Sequence, residues 1–159
     1  MIISLENLDL NTQHKVILHL GQTITDCDWQ KLTNKFIVAS SREDDSIIEE
    51  VDMNSQATLL TTVKGEIQSL YSSSDDSKVL MTTSNGFSNK SIFYSRNSNR
   101  SIEIPGNIIE VGSSRDEVYI YHSDPKDSRM ILVNLTNNSR KTLYEKKSVP
   151  NSNFKNEEL

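Results

Sequence analysis

Three glycines, Gly21, Gly65 and Gly106, stand about 42 residues apart, and each precedes a short apolar run, beginning at Ile24, Ile67 or Ile108. Such a period makes the chain a series of similar units, each too small to bury a hydrophobic face without a neighbour. A second marker recurs at nearly the same spacing. It reads Leu8-Asp9-Leu10-Asn11-Thr12-Gln13, Val51-Asp52-Met53-Asn54-Ser55-Gln56 and Leu135-Thr136-Asn137-Asn138-Ser139-Arg140, with a degenerate copy at Ser95-Arg96-Asn97-Ser98-Asn99-Arg100. Each copy ends an apolar run in an Asn/Ser/Thr turn, where side-chain oxygens bond nearby backbone groups. Between the markers lie continuous runs over 35–40, 78–83 and 117–121, rich in β-branched or aromatic residues. Runs of that kind suit strands buried on both faces.

Each unit therefore holds four strands closed by a glycine, and a period of roughly 40–45 residues is that of four-stranded propeller blades. The expected fold is all-β: a partial β-propeller of about three four-stranded blades plus a two-stranded half-blade. One propeller-like repeat domain spans 2–146, with the half-blade at 2–20 and blades at 23–64, 66–105 and 107–146. The polar segment 147–159 is expected to be a disordered tail. Trp29, Leu32 and Phe36 would also share a helix face, but the other units feed the same run from a turn without helix character.

Composition fits thin layers better than one large core. Hydrophobic residues make up 35% of the 159, and mean hydropathy is -0.52, against roughly 45–50% apolar in typical globular chains when glycine is counted. No stretch approaches the roughly 20 apolar residues of a membrane span, and no basic segment followed by an apolar one marks a signal peptide. The expected location is cytoplasmic as written, and extracytoplasmic if the native chain extends upstream of Met1. One cysteine excludes an internal disulfide framework. A net charge of -5 and a pI near 5.2 argue against nucleic acid as a partner.

The segment Tyr71-Ser72-Ser73-Ser74-Asp75-Asp76-Ser77-Lys78-Val79-Leu80-Met81-Thr82-Thr83-Ser84 resembles the TolB-type β-propeller repeat. The blade centre of that family reads aromatic-Ser-Pro-Asp-Gly and then an apolar strand ending in Thr-Ser; the Pro and Gly are absent here. Weaker matches run over 29–41 and 112–123. The apolar-x-apolar-Asp-x-x-Thr-Gly pattern is similar to 5–12 and 47–55, again without its glycine. The resemblance covers most of 2–146. It implies a propeller like those of periplasmic scaffold proteins or the accessory domains of prolyl-oligopeptidase-type serine peptidases.

Few residues offer chemistry. No Gly-x-Ser-x-Gly elbow is present. His122, Ser123 and Asp124 are consecutive, so alternation on a strand separates them and no triad forms. His14, His19 and His122 lack zinc-ligand spacing, and no metal or cofactor is expected. Cys27 lies between Asp26 and Asp28, which raise a thiol pKa, and reads as a small buried hydrophobe. Asp26 and Asp28 share one face of an inner strand and are expected to line an axial channel. Arg96, Arg100, Arg129 and Arg140 form an expected basic rim, while Glu43, Asp44, Asp45, Glu49, Glu50 and Asp52 make the first blade acidic.

These features point to a non-enzymatic binding or scaffold module with a protein or peptide partner, and away from nucleic acid and membrane. The alternative is an accessory propeller, or a fragment of one, from a prolyl-oligopeptidase-type peptidase lacking its catalytic domain. An unclosed propeller exposes its end blades, which predicts a homodimer through those ends.

Overall fold

The computed structural model describes residues 2–7, 12–17, 22–86, 88–124 and 126–147. Among them are fourteen strands and no helix, in one two-stranded and three four-stranded antiparallel sheets. The half-blade pairs β1 (Ile2–Asn7) with β2 (Thr12–Ile17). Blade one runs β3 (Thr23–Gln30), β4 (Lys35–Arg42), β5 (Asp45–Val51) and β6 (Ala57–Lys64). Blade two runs β7 (Glu66–Ser72), β8 (Lys78–Ser84), β9 (Asn89–Ser95) and β10 (Arg100–Pro105). Blade three runs β11 (Asn107–Val111), β12 (Glu117–Ser123), β13 (Asp127–Asn134) and β14 (Arg140–Lys147). Within each blade, sequence order is spatial order. This is the partial β-propeller expected from the period. Gly21, His19, the turn at 8–11 and the tail at 148–159 lie outside the described residues.

The three inner strands share one irregularity. Each slips register by one residue just after its isoleucine, between Ile24 and Asp26, between Ile67 and Ser69, and between Ile108 and Glu110. Such bulges bend and twist a strand and re-aim the side chains that follow. Trp29 and Phe36, which a helix would place on one face, instead sit opposite each other across β3 and β4, with ring centroids 4.8 Å apart.

The blades stack face to face over two apolar layers. Ile37, Ala39 and Ile48 of blade one meet Ile67, Leu70, Val79 and Met81 of blade two. Leu80, Phe93 and Ile104 on the other face of blade two meet Ile108, Val118, Ile120 and Val133 of blade three. Consequently β4 and β8 are buried on both faces, as their continuous apolar runs require. The run at 117–121 differs. Val118 and Ile120 are fully buried, but Tyr119 and Tyr121 face away from blade two and stay partly exposed.

Two of the marker glycines, Gly65 and Gly106, sit where the chain crosses between blades. Gly65 and Gly106 have φ of +90° and +111°, a region that favours glycine. A Cβ would lie 2.6 Å from the Ser84 carbonyl oxygen at Gly65, and 2.5 Å from that of Tyr121 at Gly106. Buried serines fasten both crossings. Ser46 Oγ donates to the Gly65 carbonyl and Ser91 Oγ to that of Gly106, each at 2.8 Å.

A second repeated device is the turn between the first two strands of each blade. Asn34, Asp76 and Arg115 hold φ of 57°, 55° and 58° there. Asp76 stands where the propeller motif carries its glycine. The turn before it is built by Asp75, whose Oδ1 accepts from Ser73 Oγ at 2.6 Å, Ser77 Oγ at 2.7 Å and the Ser77 N–H at 3.0 Å. These bonds favour the ionised carboxylate, with that from Ser73 the largest influence, and hold the Asp75 pKa down at about 2.

Two tests follow from these devices. Gly86 also has positive φ, at +84°, but open space around it. Gly86→Ala is expected to cost about 1 kcal/mol of backbone strain, and Gly65→Ala or Gly106→Ala at least about 2 kcal/mol more, because a backbone clash is added. Urea denaturation midpoints of the three variants measure this. Because the Asp75 pKa is depressed in the folded state, its stabilisation is fully present above the unfolded value of about 3.9 and is lost as pH falls towards 2. Asp75→Asn should lower stability at neutral pH and flatten its decline over that acid window, read from thermal melts at stepped pH.

Candidate binding groove

The polar residues singled out in the sequence divide between structural clasps and an open groove. Asp26 and Asp28, the expected channel wall, reach across to blade two. Asp26 Oδ2 accepts from the Leu70 N–H at 2.8 Å, and Asp28 Oδ2 from the Ser72 N–H at 2.7 Å. Both carboxylates thus grip the free backbone edge of β7. They do share one strand face, because they sit two residues apart beyond the bulge. Arg115 joins Asp28 from blade three, with Nη1 at 2.6 Å from Oδ2, and also reaches the Ser72 carbonyl at 3.4 Å. Asp76 clasps in the same sense: its Oδ2 accepts from the Leu32 and Thr33 N–H groups of blade one at 2.8 and 2.9 Å. No motif search finds Asp76 or Arg115. The available signal was their place at the position where the repeat lacks its glycine.

Cys27 is exposed, not buried, because it points to the face of β3 opposite Asp26 and Asp28. Its thiol pKa is raised, chiefly by desolvation and then by those two carboxylates, so thiolate chemistry is disfavoured.

Two of the four expected rim arginines, Arg96 and Arg129, are paired with carboxylates. Arg96 follows β9 and turns back between blades one and two, where it pairs with the buried Glu50, which also holds Lys35 at 3.3 Å. Arg96 further donates to the Asp76 carbonyl at 3.3 Å, and burial pushes its pKa down. Arg129 lies near the start of β13, at the opposite end of the sheet from Arg140, and is neutralised by Asp127 at 2.8 Å. Asp127 belongs to a grouping that spacing alone did not reveal. His122 Nε2 approaches Asp124 at 3.3 Å and Asp127 at 3.5 Å, and the three offer atoms within 4.8 Å of one another. The N–H groups of Asp127 and Lys126 bond Asp124 and hold its pKa low. These carboxylates are therefore already engaged by their own loop and by Arg129.

Arg100 and Arg140 do lie together. Each opens the outermost strand of its blade, just after the Asn/Ser turn of the second sequence marker. Neighbouring sheets touch mainly through the next blade's inner strand, β7 or β11, and diverge towards their outer strands. Between β10 and β14 this divergence leaves a cleft of about 370 Å³. Its floor is Phe93, Ile104, Val133 and Leu135, all buried, with Ile102 exposed along one wall. Arg100 and Ile104 lie on the β10 face turned to blade three, and Arg140 opposes them from β14. Neither arginine has a carboxylate partner among the described residues, whereas Lys78 at the base donates to the Leu135 carbonyl at 2.7 Å. The groove thus offers an apolar floor beneath two available guanidinium groups.

No family model and no curated protein matches this chain. Solved structures do. TolB from Acinetobacter baumannii superposes with a TM-score of 0.60 at 12% identity, over 89% of this chain and 37% of that one. The β-propeller domain of the Trilobed protease from Pyrococcus furiosus, described as having an open velcro topology, gives 0.61 at 16% identity, over 92% and 49%. The acylaminoacyl peptidase of Pyrococcus horikoshii gives 0.57 at 15% identity, over 90% and 28%. The chain spans half or less of the length of each of these proteins. With its three stacked sheets and interblade clasps, the chain has the fold of the TolB-like β-propellers.

Proposed function

We propose that this chain is a non-enzymatic binding module whose groove between blades two and three takes an extended peptide bearing acidic side chains. The observation that carries this reading is the meeting of Arg100 and Arg140 over an apolar floor. An alternating peptide suits that surface, because one face can fill the floor while the carboxylates on the other reach the guanidinium pair. The exposed outer edge of β10 adds unpaired backbone groups along the groove wall, the usual basis for strand addition by a peptide. A second reading, an accessory propeller of a prolyl-oligopeptidase-type peptidase lacking its catalytic domain, draws support from the likeness to propellers of two peptidases. Under both readings the chain itself supplies no turnover.

The test is fluorescence anisotropy with a labelled hexapeptide of alternating leucine and glutamate, compared with the same peptide carrying glutamine. The glutamate peptide should bind about tenfold more tightly, and its affinity should fall as salt rises. Arg100→Glu combined with Arg140→Glu should abolish that preference while leaving the circular dichroism spectrum unchanged. Equal binding of both peptides, or a preference that survives the double reversal, would overturn the reading. Hydrolysis of a prolyl peptide substrate by the purified chain would overturn its non-enzymatic part.

A further inference from the structure

We infer that the free face of blade three is a self-complementary surface that pairs two copies of this chain about a two-fold axis. The register defines the face. Tyr119 lies opposite Leu132, Tyr121 opposite Met130, and Met130 opposite Tyr144, so these five side chains share the side turned away from blade two. On blade two the corresponding forward positions are Leu80 and Phe93, and both are buried against blade three. On blade three the same positions, Tyr119 and Leu132, are partly exposed, and on the same face Tyr121 and Tyr144 are 39% and 50% exposed. The surface that stacks one blade on the next is therefore repeated once more with nothing in this chain's described residues over it.

Charge selects the occupant. On the inner side of the apolar patch the face carries Glu110, opposite Tyr119. On the outer side it carries Lys141, opposite Leu132, and Lys146, opposite Ser128. The face is thus acidic at its inner margin, apolar at its centre and basic at its outer margin. A two-fold axis parallel to the strands lays β11 of one copy over β14 of the other. It brings Glu110 to the partner's Lys141 twice over, because Glu110, Tyr119, Leu132 and Lys141 form one row across the sheet, and it sets the tyrosine and methionine centre against its counterpart. An isologous contact needs this self-complementarity. A blade stacked in the ordinary sense, inner strand on inner strand, does not use it.

Sedimentation equilibrium of the full chain over a range of concentrations provides the test, with two charge-reversed variants. The unaltered chain should dimerise. E110K sets lysine against lysine across the axis, and K141E sets glutamate against glutamate, so each variant alone should dimerise at least about tenfold more weakly. Mixing the two should restore a one-to-one heterodimer, since each reversed charge then meets its opposite. Circular dichroism of each variant checks that it folds, and recovery on mixing reports on folding as well. A chain that stays monomeric at every concentration would overturn the inference. So would variants that dimerise unchanged, or a mixture with no heterodimer, each pointing to a different occupant such as the chain's own tail or a further blade.

Discussion

The Asp28 carboxylate is the point on which three blades converge. It projects from β3, accepts the Ser72 N–H of β7, and holds Arg115, which approaches from the turn after β11. An inner strand has one edge paired to its own blade and one edge facing the centre, and the N–H groups on that second edge still need acceptors. A carboxylate supplies one with a charge-assisted bond, stronger than a neutral one. Asp26 does the same two residues earlier, and Asp76 repeats the logic one blade on, at the turn. The backbone accounting at the centre of the molecule is therefore settled between blades.

This arrangement sets where the molecule is firm and where it is open. Close approach is confined to the inner strands, so the apolar layers are thin and sit between β4, β8 and β12 and their neighbours. That is how a chain with 35% hydrophobic residues forms a core. Twisted sheets pinned at their inner edges must diverge at their outer ones. The cleft between β10 and β14 and the solvated β14 follow from that geometry. The open cleft accordingly lies at the periphery, while the charged residues nearer the centre are occupied in holding blades together.

The fold was legible because its signals are periodic. Gly65 and Gly106 are required by positive φ and a close carbonyl, so their spacing reports a backbone constraint and not a preference. The continuous runs at 35–40 and 78–83 report burial on both faces, and the alternating exposure of 117–121 reports its loss on one. The site was legible only in part. Arg100 and Arg140 each follow the repeated turn, but on opposed faces of neighbouring outer strands, which is why both line the cleft. The pairing of Arg96 was not legible, because a long side chain after a strand can reach back across the blade, and only its contact with Glu50 decides that it does. Asp26 and Asp28 were rightly put on one face, but the bulge that aims them at β7 has no one-residue signature. Asp127, which neutralises Arg129, falls outside any motif and is brought beside His122 by the β12–β13 pairing.

The most direct measurement of the claim that blades are fastened to one another by these clasps is a double-mutant cycle on Asp28 and Arg115. Asp28→Asn keeps an acceptor for the Ser72 N–H and removes the charge, and Arg115→Gln removes the guanidinium without shortening the side chain to a methyl. Denaturant unfolding of both single variants and the double gives the coupling. The two residues are 87 positions apart in sequence, so coupling reports contact between blades one and three. A coupling energy of about 1 kcal/mol is expected for a partly solvated pair. Additive effects, with coupling below about 0.3 kcal/mol, would contradict the account.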